Sequence, residues 1–285
     1  FSKLQKIDVK TFLGKGLLEK INACAREHEV DLVLINNNIS ATQQRNLQKT
    51  LKCDVLDWTG LILEIFSLRA RSFEGRMQVE LAQLRYLSTR LVRGWTHLER
   101  QKGGHGLRGG PGETQLEIDR RLLMVRIKQV RERLSKIKKQ RELSGGARRR
   151  GGVPTVALVG YTNAGKSTLF NHLTGAGVLS KDMLFATLDP TMREVTLPSG
   201  RRTILADTVG FISRLPTELI EAFKSTLEEV LHADLLLHVH DAASQFVSED
   251  ADDVVAVLND LGLDELRQQQ CVLHIFNKSD LLRDN

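Results

Sequence analysis

A glycine-rich segment in the middle of the chain constrains the fold more than any other feature. Residues 160–167 read G-Y-T-N-A-G-K-S and match the phosphate-binding pattern G-x-x-x-x-G-K-[ST] at every fixed position. The apolar run Val156–Val159 before it predicts a buried strand, and Ser167–Asn171 after it opens a helix. In that context the backbone amides, the helix N-terminus and Lys166 can surround phosphates, and Ser167 can bind magnesium. The segment therefore predicts a nucleotide-binding α/β domain.

A second motif selects the base. Asn277-Lys278-Ser279-Asp280 follows the strand-like run Cys271–Phe276 and fits the N-K-x-D pattern of guanine-nucleotide-binding proteins. The Asp280 carboxylate can accept two hydrogen bonds from guanine that adenine cannot offer, which discriminates against ATP. We expect Asn277 to brace the loop and contact the base edge, and the stem of Lys278 to cover the ring. The tetrapeptide alone also fits an ordinary turn, but its place at a strand end favours the guanine site.

Two further motifs lie between these. Ile204–Gly210 is a strand that ends in D-x-x-G, where Asp207 is predicted to hold magnesium through water and the Gly210 amide to reach the γ-phosphate. In the stretch Phe185–Thr191 a threonine should supply a hydroxyl to magnesium, and Thr187 and Thr191 both remain open for that role. The order of the four motifs predicts a GTPase domain with a doubly wound sheet over residues 153–285.

These motifs define the predicted site. Lys166, Asn163 and Gly210 are the predicted catalytic residues. Ser167 is a predicted magnesium ligand, and Thr187 and Thr191 remain alternatives for a second one. The predicted nucleotide-binding residues are Gly160, Tyr161, Thr162, Asn163, Ala164, Gly165, Lys166, Ser167, Phe185, Ala186, Thr187, Leu188, Asp189, Asp207, Thr208, Val209, Gly210, Asn277, Lys278, Ser279 and Asp280.

The motifs do not include the usual group that orients the attacking water. Phe211 follows Gly210, where Ras-like enzymes have a water-orienting glutamine, so hydrolysis needs another group and should be slow alone. Asn163 stands where potassium-activated GTPases hold a monovalent cation against the phosphates, so K⁺ joins Mg²⁺ among the predicted cofactors. Alternatively, Asn163 only shapes the loop.

Composition and cysteine spacing exclude several classes of protein. The 285 residues can form two domains with real cores, and no stretch approaches 18 uninterrupted apolar residues, so we expect no membrane span. The N-terminal residues lack the pattern of a signal peptide. Three cysteines lie far apart without C-x-x-C spacing, which predicts neither a zinc site nor a disulfide framework. We expect a cytoplasmic monomer.

The charge is distributed unevenly along the chain. Residues 1–154 carry 31 Lys and Arg against 16 Asp and Glu, whereas residues 155–285 carry 10 against 19. The N-terminal half is therefore suited to a polyphosphate surface, and the GTPase half is not. The alternative is that the excess charge only keeps that half soluble.

Residues 1–73 are predicted to form a small α/β unit. Helical patterns at 17–28, 41–51 and 60–70 alternate with strand patterns at 31–35 and 53–56, which favours a parallel pair of strands. The pattern contains no catalytic constellation.

Residues 74–152 are predicted to form a basic helical hairpin. Apolar residues repeat every seven positions in two segments, at 77, 84, 91 and 98 and at 116, 123, 130 and 137, with 81, 95, 127 and 134 between them. The connection, residues 102–112, has six glycines, which predicts a mobile tip. Residues 102–152 carry 15 Lys and Arg against 5 Asp and Glu, including Arg148–Arg150. RNA is the predicted partner, and a solvated helix face is the alternative.

The motifs together resemble the HflX family of translation-factor-related GTPases. The resemblance rests on GGPGETQLEIDRR at 109–121, GYTNAGKSTLFN at 160–171, FATLDPT at 185–191 and DTVGFI at 207–212, with QQRNLQ and VELAQLRYL upstream. It implies magnesium on Ser167 and Thr187. It also implies binding to the large ribosomal subunit and its rRNA, with the hairpin near the peptidyl-transferase region, and the splitting or rescue of stalled ribosomes. It also implies a further sheet strand, an S-A-x loop and an extension beyond Asn285, so we expect this GTPase domain to be incomplete.

Two other functions stay open at this point. The chain could be an accessory GTPase of RNA modification or ribosome assembly, in which the hairpin is a passive RNA clamp. It could also be a nucleotide hydrolase without an RNA partner. The sequence leaves an additional ATPase activity of the N-terminal unit undecided.

Overall fold

Two β-sheets organise the part of the chain that the structure describes. The computed structural model describes residues 7–91, 115–150, 152–175, 185, 187–188, 190–212, 219, 227, 230–263 and 265–282. The chain divides into one unit of residues 1–64 and 83–130 and another of residues 65–82 and 131–285. The three-part division at residues 73 and 152 stays a prediction.

The N-terminal unit contains a pair of parallel strands between helices. Its elements are α1 (Lys15–Glu27), β1 (Leu32–Ile35), α2 (Ala41–Leu51) and β2 (Asp54–Asp57). Strand β1 pairs with β2 in parallel, from Leu32 opposite Asp54 to Ile35 opposite Asp57. Ser40 and Gln43 form a reciprocal capping box that fixes the start of α2. The predicted parallel α/β unit is confirmed, with β2 starting one residue later than the sequence pattern indicated.

Apolar residues from these elements form the core of this unit. Leu47 and Val55 are 0% and 2% exposed, because α2 packs on the face of β2 that carries Val55. The buried cluster comprises Phe12, Leu13, Leu18, Ile35, Ile39, Leu47, Leu51 and Val55.

Three long helices follow: α3 (Trp58–Arg69), α4 (Phe73–Arg90) and α5 (Gln115–Arg150). In α5 the buried positions Ile127 and Val130 belong to the predicted seven-residue stripe. In α4 Leu81 of the stripe is buried, but Val79, about 200° away around the helix, is buried too, so burial is not confined to one coiled-coil seam. The pairing of the two stripes stays a prediction. Trp95, Leu98 and the glycine-rich connection 102–112 lie outside the described residues.

A buried ionic network holds part of α4 within the N-terminal unit. Asp57 at the end of β2 is fully buried and accepts hydrogen bonds from Arg90 Nη2 at 2.5 Å and Tyr86 Oη at 2.7 Å. Arg90 also donates to the carbonyl oxygen of Ile39 at 2.6 Å. Since both charges are buried, loss of either partner would leave the other uncompensated. The local sequence patterns did not identify this pair, and it is not a catalytic constellation.

The second sheet carries the nucleotide-binding motifs. Its described strands are β3 (Thr155–Val159), β4 (Thr191–Thr196), β5 (Arg202–Asp207), β6 (Leu235–Asp241) and β7 (Val272–Asn277), in the order β4-β5-β3-β6-β7. Strands β5, β3, β6 and β7 are parallel, and β4 runs antiparallel to β5. The accompanying helices are α6 (Lys166–Thr174), α7 (Val247–Asp260) and α8 (Glu265–Cys271), and a 3₁₀ turn spans Ser279–Leu281.

This sheet explains why distant motifs meet. Phosphate-binding, D-x-x-G and N-K-x-D segments follow the carboxyl ends of β3, β5 and β7, which share one edge of a parallel sheet. Leu158 and Val239 at the centre are fully buried, with Phe170 of α6 packed on the same face. The predicted α/β GTPase fold is confirmed.

Candidate nucleotide-binding site

The phosphate-binding loop runs from the end of β3 to the start of α6. Gly165, immediately before α6, has φ +95°, and a Cβ there would lie 2.1 Å from Asn277 Nδ2. Glycine is therefore required both by the backbone conformation and by the close approach of the N-K-x-D segment. Thr162 and Ala164 are buried within the loop, whereas Asn163 is exposed with φ +63°.

Lys166 is buried under the loop that it is predicted to serve. Its Nζ donates hydrogen bonds to the carbonyl oxygens of Gly160 at 3.0 Å and Tyr161 at 2.7 Å. Burial lowers the pKa of Lys166 to about 8, and the nearby Asp207 carboxylate opposes that shift. A desolvated ammonium near loop amides is a strong attractor for a phosphate, because its charge is poorly screened there.

Two hydroxyls and one carboxylate meet at the start of α6. Ser167 Oγ lies 2.7 Å from Thr187 Oγ1 and 2.7 Å from Asp207 Oδ2, and Thr187 Oγ1 lies 2.8 Å from Asp207 Oδ2. Asp207 is fully buried, and burial raises the pKa of its carboxyl, while the bonds from Ser167 and Thr187 act in the opposite direction. The structure thus brings together three predicted magnesium-site residues, Ser167, Thr187 and Asp207, each 20 positions from the next in sequence.

The second oxygen of Asp207 tests whether this cluster fits a metal ion. Asp207 Oδ1 is buried without a hydrogen-bond partner among the described residues. An unpaired buried carboxylate oxygen is costly unless a ligand satisfies it. Hydroxyl and carboxylate oxygens are the ligands that Mg²⁺ prefers, so the donor set fits this ion. Thr191, the other open threonine, begins β4 opposite Asp207 in the strand register.

The segment after Asp207 is tied to the phosphate-binding loop. Thr208 Oγ1 donates to the carbonyl oxygen of Leu158 at 2.5 Å. Phe211 N donates to Gly160 O at 3.1 Å, and Thr162 N donates to Phe211 O at 2.7 Å. Val209, Gly210 and Phe211 are all buried in this arrangement. The buried phenyl ring of Phe211 carries no group that could orient water.

The stretch upstream of β4 is described only in part. Phe185 N donates to Thr162 Oγ1 at 3.2 Å, and the Phe185 ring packs edge-on against Phe66 with centroids 4.5 Å apart. Leu188 is buried. The predicted residues Ala186 and Asp189 lie outside the described residues.

The N-K-x-D segment contacts the phosphate-binding loop through Asn277. Asn277 Nδ2 donates to Ala164 O at 2.9 Å, which joins two segments 113 residues apart. Lys278, with φ +60°, forms an ion pair with Asp241 Oδ2 at 2.7 Å. Ser279 and Asp280 form the exposed 3₁₀ turn beside it.

Asp241 is a site residue that the sequence analysis missed. It ends β6, and its Oδ1 also accepts a hydrogen bond from Ala243 N at 3.0 Å. The signal was present, because an acidic residue at the carboxyl end of an apolar run stands at the edge of the sheet where ligands bind. Its role here is to hold Lys278.

Comparison with known families covers almost the whole chain. Residues 155–278 match the family described as 50S ribosome-binding GTPase. Residues 1–67 match the N-terminal region, and residues 69–148 the middle region, of the GTP-binding GTPase families.

Curated relatives agree with these matches. The chain is 54% identical over 275 residues to GTPase HflX of Escherichia coli K12, which covers 96% of this chain and 63% of that protein. It is 53% identical over 279 residues to GTPase HflX of Magnetococcus marinus, which covers 98% of this chain and 64% of that protein. The chain thus spans about 64% of the length of the relatives it matches.

A solved structure shares the fold. The chain is 28% identical to SsGBP in a crystal structure of its GDP complex, with a TM-score of 0.52 over 98% of this chain and 74% of that one. Among the helices that the structure describes, none is both long and apolar enough to cross a membrane.

Proposed function

Since the chain belongs to the HflX family of GTPases, we propose that it binds guanine nucleotide at this site and hydrolyses GTP with Mg²⁺. The observation that carries the proposal is the meeting of Ser167, Thr187 and Asp207 beside the phosphate-binding loop, with one Asp207 oxygen unpaired among the described residues. These three residues come from segments that lie far apart in the sequence. A purely structural turn would not need side chains from three such segments to meet.

Different residues of the site would bind the phosphates, the guanine and the magnesium ion. Lys166 holds the outer phosphates, and the loop amides and the N-terminus of α6 surround the others. Asp280 accepts hydrogen bonds from the guanine edge, while Asn277 keeps its loop on Ala164. Ser167 and Thr187 would hold Mg²⁺, with Asp207 reaching it directly or through water. The ion neutralises negative charge that develops on the phosphates during hydrolysis.

The attacking water needs a group other than Phe211. Asn163 is exposed at the top of the loop and is the proposed holder of K⁺, which would add positive charge between the phosphates. A bound partner that orders the segments around Thr187 and Gly210 would be a second way to accelerate hydrolysis. Hydrolysis would then be slow in the free protein and faster on the partner.

The proposed partner is the large ribosomal subunit in the cytoplasm. Helix α5 supports it, because its described basic side chains are exposed along much of its length: Arg120, Arg121, Lys128, Arg131, Arg133, Lys136 and Lys139. Lysine and arginine on one long helix suit the phosphates of rRNA. The matched family's description names 50S ribosome binding, and the E. coli relative is an HflX protein. Splitting or rescue of stalled ribosomes is the finer form of this proposal.

The nucleotide part is tested by a matched pair of variants. Ser167→Ala should abolish Mg²⁺-dependent phosphate release from GTP, because it removes a proposed ligand. Thr168→Ala, the next residue on α6 and exposed, makes the same kind of change away from the cluster and should keep activity. Equal activity of the two variants would refute the assignment.

The ribosome part is tested by sedimentation with a non-hydrolysable GTP analogue. Reversal of Lys128, Arg131 and Lys136 to Glu should release the protein from large subunits. The same charge change at Lys15, Lys20 and Arg26 of α1, which are also exposed, serves as the control. Conversion of whole ribosomes to subunits would identify a splitting factor, whereas co-migration with precursors alone would favour an assembly accessory.

A further inference from the structure

Three histidines lie together on two neighbouring strands of the nucleotide-binding unit. His238 of β6 is directly opposite His274 of β7 in the parallel register. His240 lies two positions after His238, so strand alternation puts both on the same face. His238 and His240 are buried, and His274 is exposed. The general GTPase mechanism described above uses none of them.

The three imidazoles are close enough to share one ion. Their ligand nitrogens all lie within 4.8 Å of one another, and His240 Nε2 is 2.8 Å from His274 Nδ1. The ring centroids are 3.9 Å apart for His238 and His240, and 5.3 Å apart for His238 and His274. Zinc–nitrogen bonds of ~2.0–2.1 Å with tetrahedral angles need nitrogens ~3.3 Å apart. The nitrogen separations would therefore have to change by up to about 1.5 Å to meet that geometry.

The chemistry of the cluster selects the class of ion. Imidazole nitrogen suits Zn²⁺, Cu²⁺ and Ni²⁺, whereas Mg²⁺ and Ca²⁺ prefer oxygen ligands. Burial lowers the pKa of His238 to about 3, with the neighbouring His240 and His274 acting in the same direction. Burial also lowers the pKa of His240. Burial thus favours the neutral form of these two buried rings, which is the form that binds metal.

The surroundings leave room for a fourth ligand. His238 and His240 line a cavity of about 180 Å³ that also borders Tyr161, Asn163 and Ala164 of the phosphate-binding loop. The Phe276 ring stacks on His240 with centroids 4.9 Å apart and supports that ring from the outside. A site with three protein ligands and one side open to a cavity can take a water molecule as its fourth ligand.

We propose that His238, His240 and His274 bind one divalent transition-metal ion, with Zn²⁺ as the best match, at a site separate from the Ser167–Thr187–Asp207 cluster. The ion crosslinks β6 to β7 next to the phosphate-binding loop. Because the ion would bind only the folded state, it would stabilise this unit by RT ln(1 + c/Kd), where c is the free metal concentration, and this rises with the logarithm of c above Kd.

Metal titration of the full chain tests the proposal. The chelator-treated protein is titrated with Zn²⁺ by calorimetry and with Co²⁺ by visible absorption. We expect one ion per chain and the intense d–d bands of tetrahedral Co²⁺. His274→Val, at an exposed strand position, should weaken binding by roughly 100-fold or more, because loss of even an outer-shell partner costs 10–100-fold. His240→Val should do the same.

Two controls separate this site from other ligands. His232→Gln changes an exposed histidine outside the cluster, and Cys271→Ser removes the thiol next to β7; both should bind Zn²⁺ as the unmodified chain does. X-ray absorption at the zinc edge of the unmodified chain supplies a readout that needs no variant, and should show three imidazole nitrogens. No stoichiometric binding, an imidazole count below three, or unchanged affinity in both valine variants would mean that the histidines form only a hydrogen-bonded cluster.

Discussion

The contact between Asn277 and Gly165 joins the base-binding and phosphate-binding segments, and a double-mutant cycle can measure it. Gly165→Ala would place a Cβ only 2.1 Å from Asn277 Nδ2, so the Asn277 amide would have to move. Residue 165 also has a φ of +95°. The substitution therefore has two costs. The positive φ costs about 1–2 kcal/mol in an L-residue. Displacement of the Asn277 amide from Ala164 O costs a further ~0.5–1.5 kcal/mol, the net value of one hydrogen bond.

The two costs separate when Asn277 is changed as well. Asn277→Ala alone should cost ~0.5–1.5 kcal/mol, because it removes the same hydrogen bond. In the Asn277→Ala background, Gly165→Ala should cost only the strain of ~1–2 kcal/mol. The double variant should thus be more stable than the sum of the single effects predicts, by ~0.5–1.5 kcal/mol, which exceeds the usual additivity error of ~0.3–0.5 kcal/mol.

Gly175→Ala provides a matched control for backbone strain. Gly175 ends α6 with φ +65°, but a Cβ there would meet nothing within 4 Å. Its effect should add to that of Asn277→Ala without coupling. Urea unfolding of the nucleotide-free protein by circular dichroism gives the free energies, and the transition that shifts with GDP belongs to the nucleotide-binding unit. Additive effects of Gly165→Ala and Asn277→Ala would refute the contact.

The remaining predictions concern guanine specificity, the threonine ligand of magnesium, RNA binding and the potassium ion. Asp280→Asn should weaken GTP binding by roughly 100-fold or more and favour XTP, because the amide offers a donor where guanine needs an acceptor; equal affinities for both nucleotides, measured by competition, would contradict this. Thr187→Ala should spare GDP binding but impair Mg²⁺-dependent GTP binding, and a Thr191→Ala variant that alone shows this defect would mean that the wrong threonine was chosen. Charge reversal of Arg148–Arg150 to Glu should lower the salt slope of ribosome binding by about one unit per lost phosphate contact while hydrolysis without ribosomes stays unchanged; an unaltered slope would argue against the RNA role. K⁺ should raise GTP turnover above that in matched Na⁺ buffer, and Asn163→Ala should remove the difference; identical rates in both buffers would exclude the cation.

Motifs that depend on local sequence were predictable, because they need particular residues at fixed spacing. The fixed spacing from Gly160 to Ser167 requires a strand before it and a helix after it, and β3 and α6 have these positions. The parallel pairing of β1 and β2 followed from alternation of helix and strand patterns. Each of these features is encoded within one continuous stretch of the chain, so a local pattern is enough to predict it.

Features that depend on contacts between distant segments could not be predicted in the same way. The Asp57–Arg90 pair joins a strand end to a helix 33 positions later, and nothing in either local pattern specifies the partner. The histidine cluster had only a partial signal, an H-V-H alternation in β6, and it needed the β6–β7 register to bring in His274. Cysteine spacing, which was the basis for expecting no zinc site, carries no information on imidazole ligands.

Helix α5 shows a different limit of local rules. Glycine disfavours helix interiors by about 1 kcal/mol relative to alanine, so local propensity favours a break in the helix at Gly145 and Gly146. The backbone is helical through both glycines to Arg150. Propensity is a weak preference that the rest of a long helix can override. The basic cluster Arg148–Arg150 is therefore the end of a helix and does not follow a flexible break. A helical backbone would present these residues to a nucleic acid at fixed positions.

The two hydroxyls of the proposed magnesium site lie at Asp207 before nucleotide binds. Ser167 and Thr187 already lie within 2.8 Å of Asp207 Oδ2, so both hydroxyls are held at the cluster by hydrogen bonds. A magnesium ion would exchange these bonds for metal–oxygen contacts without recruiting either side chain from solvent. Thr187 is therefore already partly ordered, which lowers the entropy cost of binding the ion. The difference between GTP and GDP would then come from the γ-phosphate and the segment that ends at Phe211. That segment is bonded to Gly160 and Thr162 of the phosphate-binding loop, so a shift of the loop around the γ-phosphate would move the segment with it.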